Sequence, residues 1–201
     1  MLQAFSDRVR VIPYGIDYEP YNRRRDSEVT AIRQQYGPRM VLNVGRLIYY
    51  KRFQYLISAM KEVDAKLLIA GEGPLREELE RQLQAEGTKD RVEFLGEKTP
   101  EQLIPFNEAC DIFALSSVRG ETFGIVQLEA MAAGKPVVNT MLDSGRALWF
   151  HATTRAVTPS PRVIPKDLRR FSIVCLKMRR CVFAMAAKAG SGCNESSASG
   201  R

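Results

Sequence analysis

Short apolar segments rich in β-branched residues alternate along this chain with longer segments that mix apolar and charged positions. The short runs are apolar throughout, which is typical of strands buried on both faces of a sheet. They predict strands at residues 9–12, 40–44, 66–70, 92–95, 111–115 and 136–139. Apolar strands separated by longer segments favour a parallel sheet.

The longer segments carry apolar residues at helical spacing and predict helices at residues 26–36, 52–63, 74–86, 99–109 and, from Thr122 or Phe123, to 133. Asp26 or Ser27 can cap the first helix and Thr99 the fourth. Pro74 fits the first turn of the third helix, which Gly87 ends. The alternation predicts a doubly wound α/β domain from about residue 8 to about residue 145, with ligands expected at the carboxyl ends of the strands.

Charge divides the chain near Gly145. With 45% hydrophobic and 26% charged residues, the 201-residue chain has the composition of a soluble globular protein, which argues against disordered, collagen-like and disulfide-framework classes. Its formal net charge of +7 combines 19 basic and 21 acidic residues up to position 145 with 11 basic and 2 acidic residues after it. The domain at 1–145 is therefore slightly acidic, and the excess belongs to a basic tail at 146–201.

The sequence of this tail predicts an irregular or weakly helical chain, with marginal helix around residues 171–187. The abrupt loss of acidic residues prompts the hypothesis that the tail is not native sequence. Cys110, Cys175, Cys181 and Cys193 match no zinc or redox spacing. The amino terminus lacks the apolar core of a signal peptide, so a cytoplasmic protein with reduced thiols is expected.

Two cations and a glycine follow the strand at 40–44. Gly45 allows close backbone approach to a ligand, and Arg46 and Lys51 bring positive charge to a strand end just before a helix. Because helix N–H groups and cations both favour phosphate oxygens, this loop is a candidate diphosphate site. The alternative is a pair of solvated surface cations.

The loop Gly71-Glu72-Gly73-Pro74 resembles the start of a dinucleotide-binding GxGxxG motif, but Arg76 stands where the third glycine would be. A tight strand-to-helix turn is the alternative explanation of its two glycines.

The third loop carries two carboxylates eight residues apart. Glu121 precedes a helix start at which the N–H groups of Phe123, Gly124 and Ile125 could hold an anion or a sugar oxygen, and Glu129 lies about two helical turns further on. Glu129 stands among small and apolar residues, where a carboxylate should be hydrogen-bonded. The alternative is that each glutamate is a solvated charge or a charge that interacts favourably with the helix dipole.

The run GETFGIVQLEAMAAGKPVV resembles the signature of GT4-type retaining glycosyltransferases of the GT-B fold. Four further blocks occur in the order of that family: RVRVIPYGID, LNVGRLIYYKRFQYLISAM, LLIAGEGPLREELE and RVEFLGEKTPEQL. The resemblance spans roughly residues 8–145 and implies the C-terminal, nucleotide-sugar-binding Rossmann-like half of such an enzyme.

The resemblance also implies roles for named residues. Arg46 and Lys51, beside Gly45, would neutralise the donor diphosphate. Glu121 would contact the donor sugar, with the amides of Phe123, Gly124 and Ile125 beside it, and Glu129 would accept from the ribose hydroxyls. The loop with Glu97 and Lys98 would border the base, and no metal or other cofactor is expected, because the cations supply the charge stabilisation.

The implied activity is transfer of a hexosyl group from a nucleotide sugar to a glycan or lipid acceptor, in polysaccharide, glycolipid or glycoside synthesis. The acceptor would be bound mainly by an N-terminal domain that this chain is expected to lack. Little turnover is expected from the chain alone, so a binding module without turnover is one alternative. Another alternative is a protein whose basic tail associates with an anionic membrane, at the inner membrane face, or with nucleic acid. The acidic first domain disfavours the nucleic-acid alternative.

Overall fold

The computed structural model describes residues 15–117 and 124–139. Within these ranges the strands are β1 (Met40–Val44), β2 (Lys66–Ala70), β3 (Val92–Gly96), β4 (Ile112–Leu115) and β5 (Val137–Asn139). The helices are α1 (Asp26–Tyr36), α2 (Phe53–Ala59), α3 (Arg76–Glu86), α4 (Pro100–Ala109) and α5 (Ile125–Ala132), with short 3-10 turns at Glu19–Asn22, Tyr49–Lys51 and Lys89–Arg91. The predicted strand at 9–12 and the tail at 146–201 lie outside the described residues.

The five described strands form one parallel sheet in the order β3-β2-β1-β4-β5. Successive residues of β1 point to opposite faces, so Val41 enters one apolar cluster and Leu42 the other. The first cluster holds α2 and α3 against the sheet, and the second holds α1, α4 and α5. Helices on both faces of a parallel sheet confirm the predicted doubly wound α/β fold.

Large apolar side chains anchor the helices on each face. Phe53 of α2 is completely buried on one side and Phe113 of β4 on the other. Full burial of each such side chain stabilises the fold by about 1.5–3 kcal/mol. Cys110 is a free thiol within the second cluster, where burial raises its pKa to about 12; the other three cysteines lie outside the described residues.

Two predicted helix ends are confirmed. The Gln102 N–H donates to the Thr99 hydroxyl over 3.3 Å while the Thr99 N–H donates to the Gln102 side-chain oxygen over 3.0 Å, a reciprocal capping box. Gly87 ends α3 in the left-handed conformation with a φ of +65°.

Other predicted ends are wrong because tertiary contacts replace local signals. Arg25 precedes α1 without a side-chain cap, so neither Asp26 nor Ser27 serves as its N-cap. Helix α2 stops at Ala59 rather than residue 63, where the N–H groups of the next three residues donate to carbonyls three positions back, and the Arg91 guanidinium donates to the carbonyls of Met60 (2.9 Å) and Val63 (3.2 Å).

Helices α3 and α5 begin later than predicted. The N–H of Leu75 donates to the Leu47 carbonyl of a neighbouring loop over 3.2 Å, which leaves Pro74 in the turn before α3 rather than in its first turn. Gly124 precedes α5 with a φ of +69°, so the helix starts at Ile125 and not at Thr122 or Phe123.

Candidate functional site

Strand order reverses at β1, which has β2 on one side and β4 on the other. Helix α2 follows β1 and packs on one face of the sheet, whereas α5 follows β4 and packs on the opposite face. Where strand order reverses in this way, doubly wound folds generally have a crevice at the carboxyl edge of the sheet. In doubly wound folds this position is the usual ligand site.

The backbone pairing of β1 with β4 ends before the carboxyl edge. The two strands pair at Val41 with Ile112 and at Leu42 with Phe113. Beyond these pairs the Asn43 side-chain amide donates to the Ala114 carbonyl over 2.6 Å, and the Ser116 hydroxyl donates to the Lys51 carbonyl over 2.6 Å. Side chains thus bridge the gap where the backbone ladder ends.

Asn43 and Ser116 are each 1% exposed, and neither was among the predicted site residues. A signal was present in both cases. Asn43 is the one polar residue in the run MVLNV, and Ser116 follows an apolar strand directly. A polar side chain inside an apolar run needs a buried hydrogen-bond partner.

The loop after β1 brings Gly45 and Lys51 together. A Cβ atom at Gly45 would lie 3.6 Å from Lys51 Cε and 3.7 Å from its Nζ, so the lysine side chain passes directly over the glycine. Arg46 is exposed at the same strand end. The three predicted phosphate-binding residues therefore occupy the β1 wall of the crevice.

Arg52, which sequence reasoning missed, adjoins this loop in a left-handed conformation with a φ of +52°. Its guanidinium stacks on the Tyr49 ring, with Cζ 3.9 Å from the ring centroid. A left-handed non-glycine residue stores strain of about 1–2 kcal/mol, which the stacking partly offsets.

The glycines of the loop after β2 serve backbone packing. A Cβ atom at Gly71, whose φ is +134°, would overlap the Gly45 carbonyl, and one at Gly73 would lie 2.5 Å from the Leu47 carbonyl oxygen. The N–H of Leu47 donates to the Glu72 carbonyl over 2.9 Å. Close approach of two loops thus accounts for both glycines without a ligand.

Glu97 and Lys98 follow β3, two strands away from β1 and so roughly 10 Å across the sheet at normal strand spacing. The Lys98 ammonium donates to the Leu95 carbonyl over 2.7 Å, and Glu97 is exposed. Both residues stand at the carboxyl edge, further from the crevice than the β1 loop.

Glu121 and Phe123 lie outside the described residues. Gly124 is buried, and a Cβ atom there would overlap the Gln127 side chain. Ile125, the first residue of α5, is 37% exposed. The start of α5 therefore faces solvent beside the crevice.

Glu129 is half-buried on α5, and burial raises the pKa of its carboxyl. The expected hydrogen bond to this carboxylate is not found within the described part of the chain. Tyr21, also half-buried, has a pKa raised to about 12 by burial and by the negative charge of Glu129. The Asn107 side chain lies close enough to lower that value, although its geometry falls short of a good hydrogen bond.

The cations after β1, at the carboxyl edge where strand order reverses, define a candidate site for an anionic ligand in a Rossmann-like domain, and the half-buried Glu129 lies on α5, the helix that follows β4. The profile of the glycosyl transferases group 1 family matches residues 25–162. The chain belongs to this family, and its sheet is the Rossmann-like half of a GT-B fold.

Curated relatives extend the comparison. The chain is 32% identical over 161 residues to D-rhamnosyltransferase WbpZ of Pseudomonas aeruginosa, covering 79% of this chain and 42% of the relative. It is 40% identical over 147 residues to an uncharacterized glycosyltransferase of Methanocaldococcus jannaschii, covering 66% and 36%. The chain thus spans less than half the length of either relative.

Among solved structures, HepE from Anabaena in complex with UDP has a TM-score of 0.62 at 22% identity, over 95% of this chain and 60% of HepE. The catalytic domain of cholesterol-α-glucosyltransferase from Helicobacter pylori has a TM-score of 0.53 at 22% identity, over 77% of this chain and 98% of that domain. At this level of identity the similarity establishes the fold alone.

None of the helices in the described ranges has the length and hydropathy needed to cross a bilayer. No group of three His, Cys, Asp or Glu side chains within those ranges is placed to hold a metal ion.

Proposed function

We propose that this chain is the donor-binding half of a retaining glycosyltransferase and holds a nucleotide sugar in the crevice between β1 and β4. The observation that carries the proposal is the early end of the β1–β4 pairing where strand order reverses, with the Lys51 side chain over Gly45 after β1 and the half-buried Glu129 on α5, the helix that follows β4. A diphosphate on the β1 side and a ribose on the α5 side would match this division of charge.

Family membership and the names of similar proteins support a sugar donor of this class. WbpZ is a D-rhamnosyltransferase, and HepE has been crystallised with UDP and with UDP-glucose. These ligands belong to HepE, and their presence there makes a nucleoside diphosphate the first probe to apply to this chain.

The β1 wall would act on the leaving group. As the bond between the anomeric carbon and the diphosphate oxygen breaks, negative charge grows on that oxygen, and Arg46 and Lys51 would stabilise it. Preorganised charge of this kind is a major contribution to catalysis. It would perform the task that a metal ion performs elsewhere, so we propose transfer without a bound metal.

The other residues would orient the donor. The Glu129 carboxylate, without a protein hydrogen bond in the described ranges, would accept from the ribose hydroxyls, and this would satisfy the group that burial now disfavours. Glu121, with the amides of Phe123, Gly124 and Ile125, would contact the sugar, and Glu97 and Lys98 would border the base.

The acceptor, a glycan or lipid, would be bound mainly by a second domain, since the chain spans 42% of WbpZ. Binding and turnover are therefore tested separately. Contact of the whole enzyme with an anionic membrane and a cytoplasmic location belong to the same proposal.

Isothermal titration of the chain with UDP-glucose and GDP-mannose tests the donor site. We expect saturable binding of one donor and a loss of roughly 10- to 100-fold in Lys51→Ala, because charge-assisted hydrogen bonds to phosphate contribute about 1.5–3 kcal/mol. Lys89→Ala, which removes an exposed lysine from the 3-10 turn before β3, is the matched control and should bind as the wild type does. Absence of binding to either donor, or an equal loss in both variants, would contradict the proposal.

A further inference from the structure

Ser116 joins the two walls of the crevice. Its hydroxyl donates to the carbonyl of Lys51, 65 positions away in sequence, over 2.6 Å, and the serine is 1% exposed. This length is at the short end of the range for an O–H···O hydrogen bond. The interaction is therefore a well-formed link between the end of β4 and the loop after β1.

The position of Lys51 explains why such a link matters. The start of its loop is tied to β2, where the N–H of Gly45 donates to the Ala70 carbonyl over 2.9 Å. The far end of the loop is a single 3-10 turn, Tyr49–Lys51, followed by the strained Arg52. On the β4 side, where the backbone ladder has already ended, Ser116 holds this far end.

We infer that Ser116 is a positioning residue for diphosphate binding: its hydrogen bond fixes the backbone of Lys51 so that the lysine side chain stays over Gly45 at the crevice. The inference rests on the proposed donor site.

Removal of the hydroxyl has a defined consequence. In Ser116→Ala the Lys51 carbonyl loses this donor, and the 3-10 turn loses its connection to β4. A lysine that moves away from the phosphate binds it more weakly, whereas the proposed contacts to the nucleoside involve other residues, Glu97, Lys98 and Glu129. The variant should therefore discriminate between the two parts of the ligand.

The test compares the binding of UDP and GDP with that of uridine and guanosine. Isothermal titration measures the nucleotides directly, and the nucleosides are measured by their displacement of the bound nucleotide. We expect Ser116→Ala to weaken the preferred nucleoside diphosphate about 5- to 10-fold, as for the loss of one hydrogen bond, and to leave its nucleoside within 2-fold. Ser58→Ala is the matched control, since it removes a hydroxyl that donates to Glu86 over 2.8 Å between α2 and α3; it should change neither affinity. Equal weakening of nucleotide and nucleoside would mean a general structural role and would overturn the inference.

A double-mutant cycle with Lys51→Ala sharpens the test. If Ser116 acts through Lys51, adding Ser116→Ala to Lys51→Ala should weaken UDP or GDP binding by less than 2-fold. Fully additive losses would contradict the inference. Ser116→Cys, which is close in size and a poor hydrogen-bond donor, replaces the alanine variant if that variant does not fold, and the same losses are expected.

Failure of the inference and failure of the proposed function give different results. A wild-type chain that binds UDP or GDP while Ser116→Ala binds equally well overturns the inference alone. A wild-type chain that binds neither nucleotide overturns the donor site and the inference together.

Discussion

The two sides of β1 are built differently at the carboxyl edge of the sheet. Towards β2, the strands pair along their whole length and their loops continue in direct backbone contact, with Gly71 and Gly73 packed against carbonyls of the β1 loop. Towards β4, pairing ends at Leu42 and Phe113, and the side chains of Asn43 and Ser116 span the gap.

This difference separates two uses of the same edge. On the β2 side, close packing leaves no space for a ligand and contributes to the stability of the fold. On the β4 side, the backbone pairing ends early and the polar side chains of Asn43 and Ser116 are buried, at some cost in stability. Substitutions on the β2 side should therefore alter folding, and those on the β4 side should alter binding.

Gly71→Ala should have the largest effect and should act on folding. The new Cβ would overlap the Gly45 carbonyl at a φ of +134°, and we expect a loss of about 3 kcal/mol or more in the free energy of unfolding. Gly87→Ala is the control, since Gly87 also has a positive φ but nothing lies within 4 Å of a Cβ there; it should lose only about 1 kcal/mol. Urea unfolding measures both. Equal losses would show that conformation, and not the contact of the two loops, makes Gly71 necessary.

Glu129→Gln should have opposite effects on binding and stability. We expect roughly 10-fold weaker binding of the nucleoside diphosphate, because the amide is a weaker acceptor for hydroxyl groups than a carboxylate. Burial raises the pKa of this carboxyl above its ordinary 4.5, so the folded state holds its proton to higher pH and wild-type stability falls as pH rises between the two values.

The glutamine variant should lack this decline and be more stable than the wild type at neutral pH. Urea unfolding from pH 4 to 8 checks this, with Glu78→Gln on the exposed surface of α3 as control. A less stable Glu129→Gln chain at pH 7 would show that the carboxylate stabilises the fold and would remove the contrast between the two sides.

Arg52 lies where the β1 loop enters α2, and it tests whether strain at the crevice affects folding. Arg52→Ala loses the stacking on Tyr49 and keeps the positive φ, whereas Arg52→Gly loses the stacking and relieves the φ. The glycine variant should therefore be more stable than the alanine variant by about 1 kcal/mol. Equal stabilities in thermal unfolding would mean that the left-handed conformation costs nothing here.

Gly45→Ala should have the smallest effect on folding, within about 0.5 kcal/mol, because its Cβ would make ordinary contacts with the Lys51 side chain at 3.6–3.8 Å. The methyl group would nevertheless occupy the space through which a diphosphate approaches the backbone, so nucleotide affinity should fall several-fold. Urea unfolding and titration on the same sample separate the two effects. A stability loss as large as that of Gly71→Ala would show that both glycines serve packing.

Much of this architecture was predictable from local sequence. Apolar runs predicted the described strands to within one residue at each end, because burial on both faces imposes a composition that can be read directly. Thr99 and Gly87 were predictable caps, because capping depends on residues within the same turn. The end of α2 at Ala59 and the start of α3 at Arg76 were not predictable, because the chain there makes hydrogen bonds with Arg91 and Leu47, which lie in other parts of the fold.

The site divides in the same way. Sequence alone predicted the candidate groups, since Gly45, Arg46 and Lys51 follow a strand and Glu129 lies within a predicted helix among small and apolar residues, and it predicted the fold class and the family. Tertiary structure alone decided which glycines pack and which stay open, where the sheet separates, and that Ser116 holds Lys51. Those properties depend on contacts between residues in different elements, from Gly71 against Gly45 to the bonds of Asn43 and Ser116, which join residues 65 or more positions apart. Such pairs meet only after strand order and the packing of the helices have brought them together.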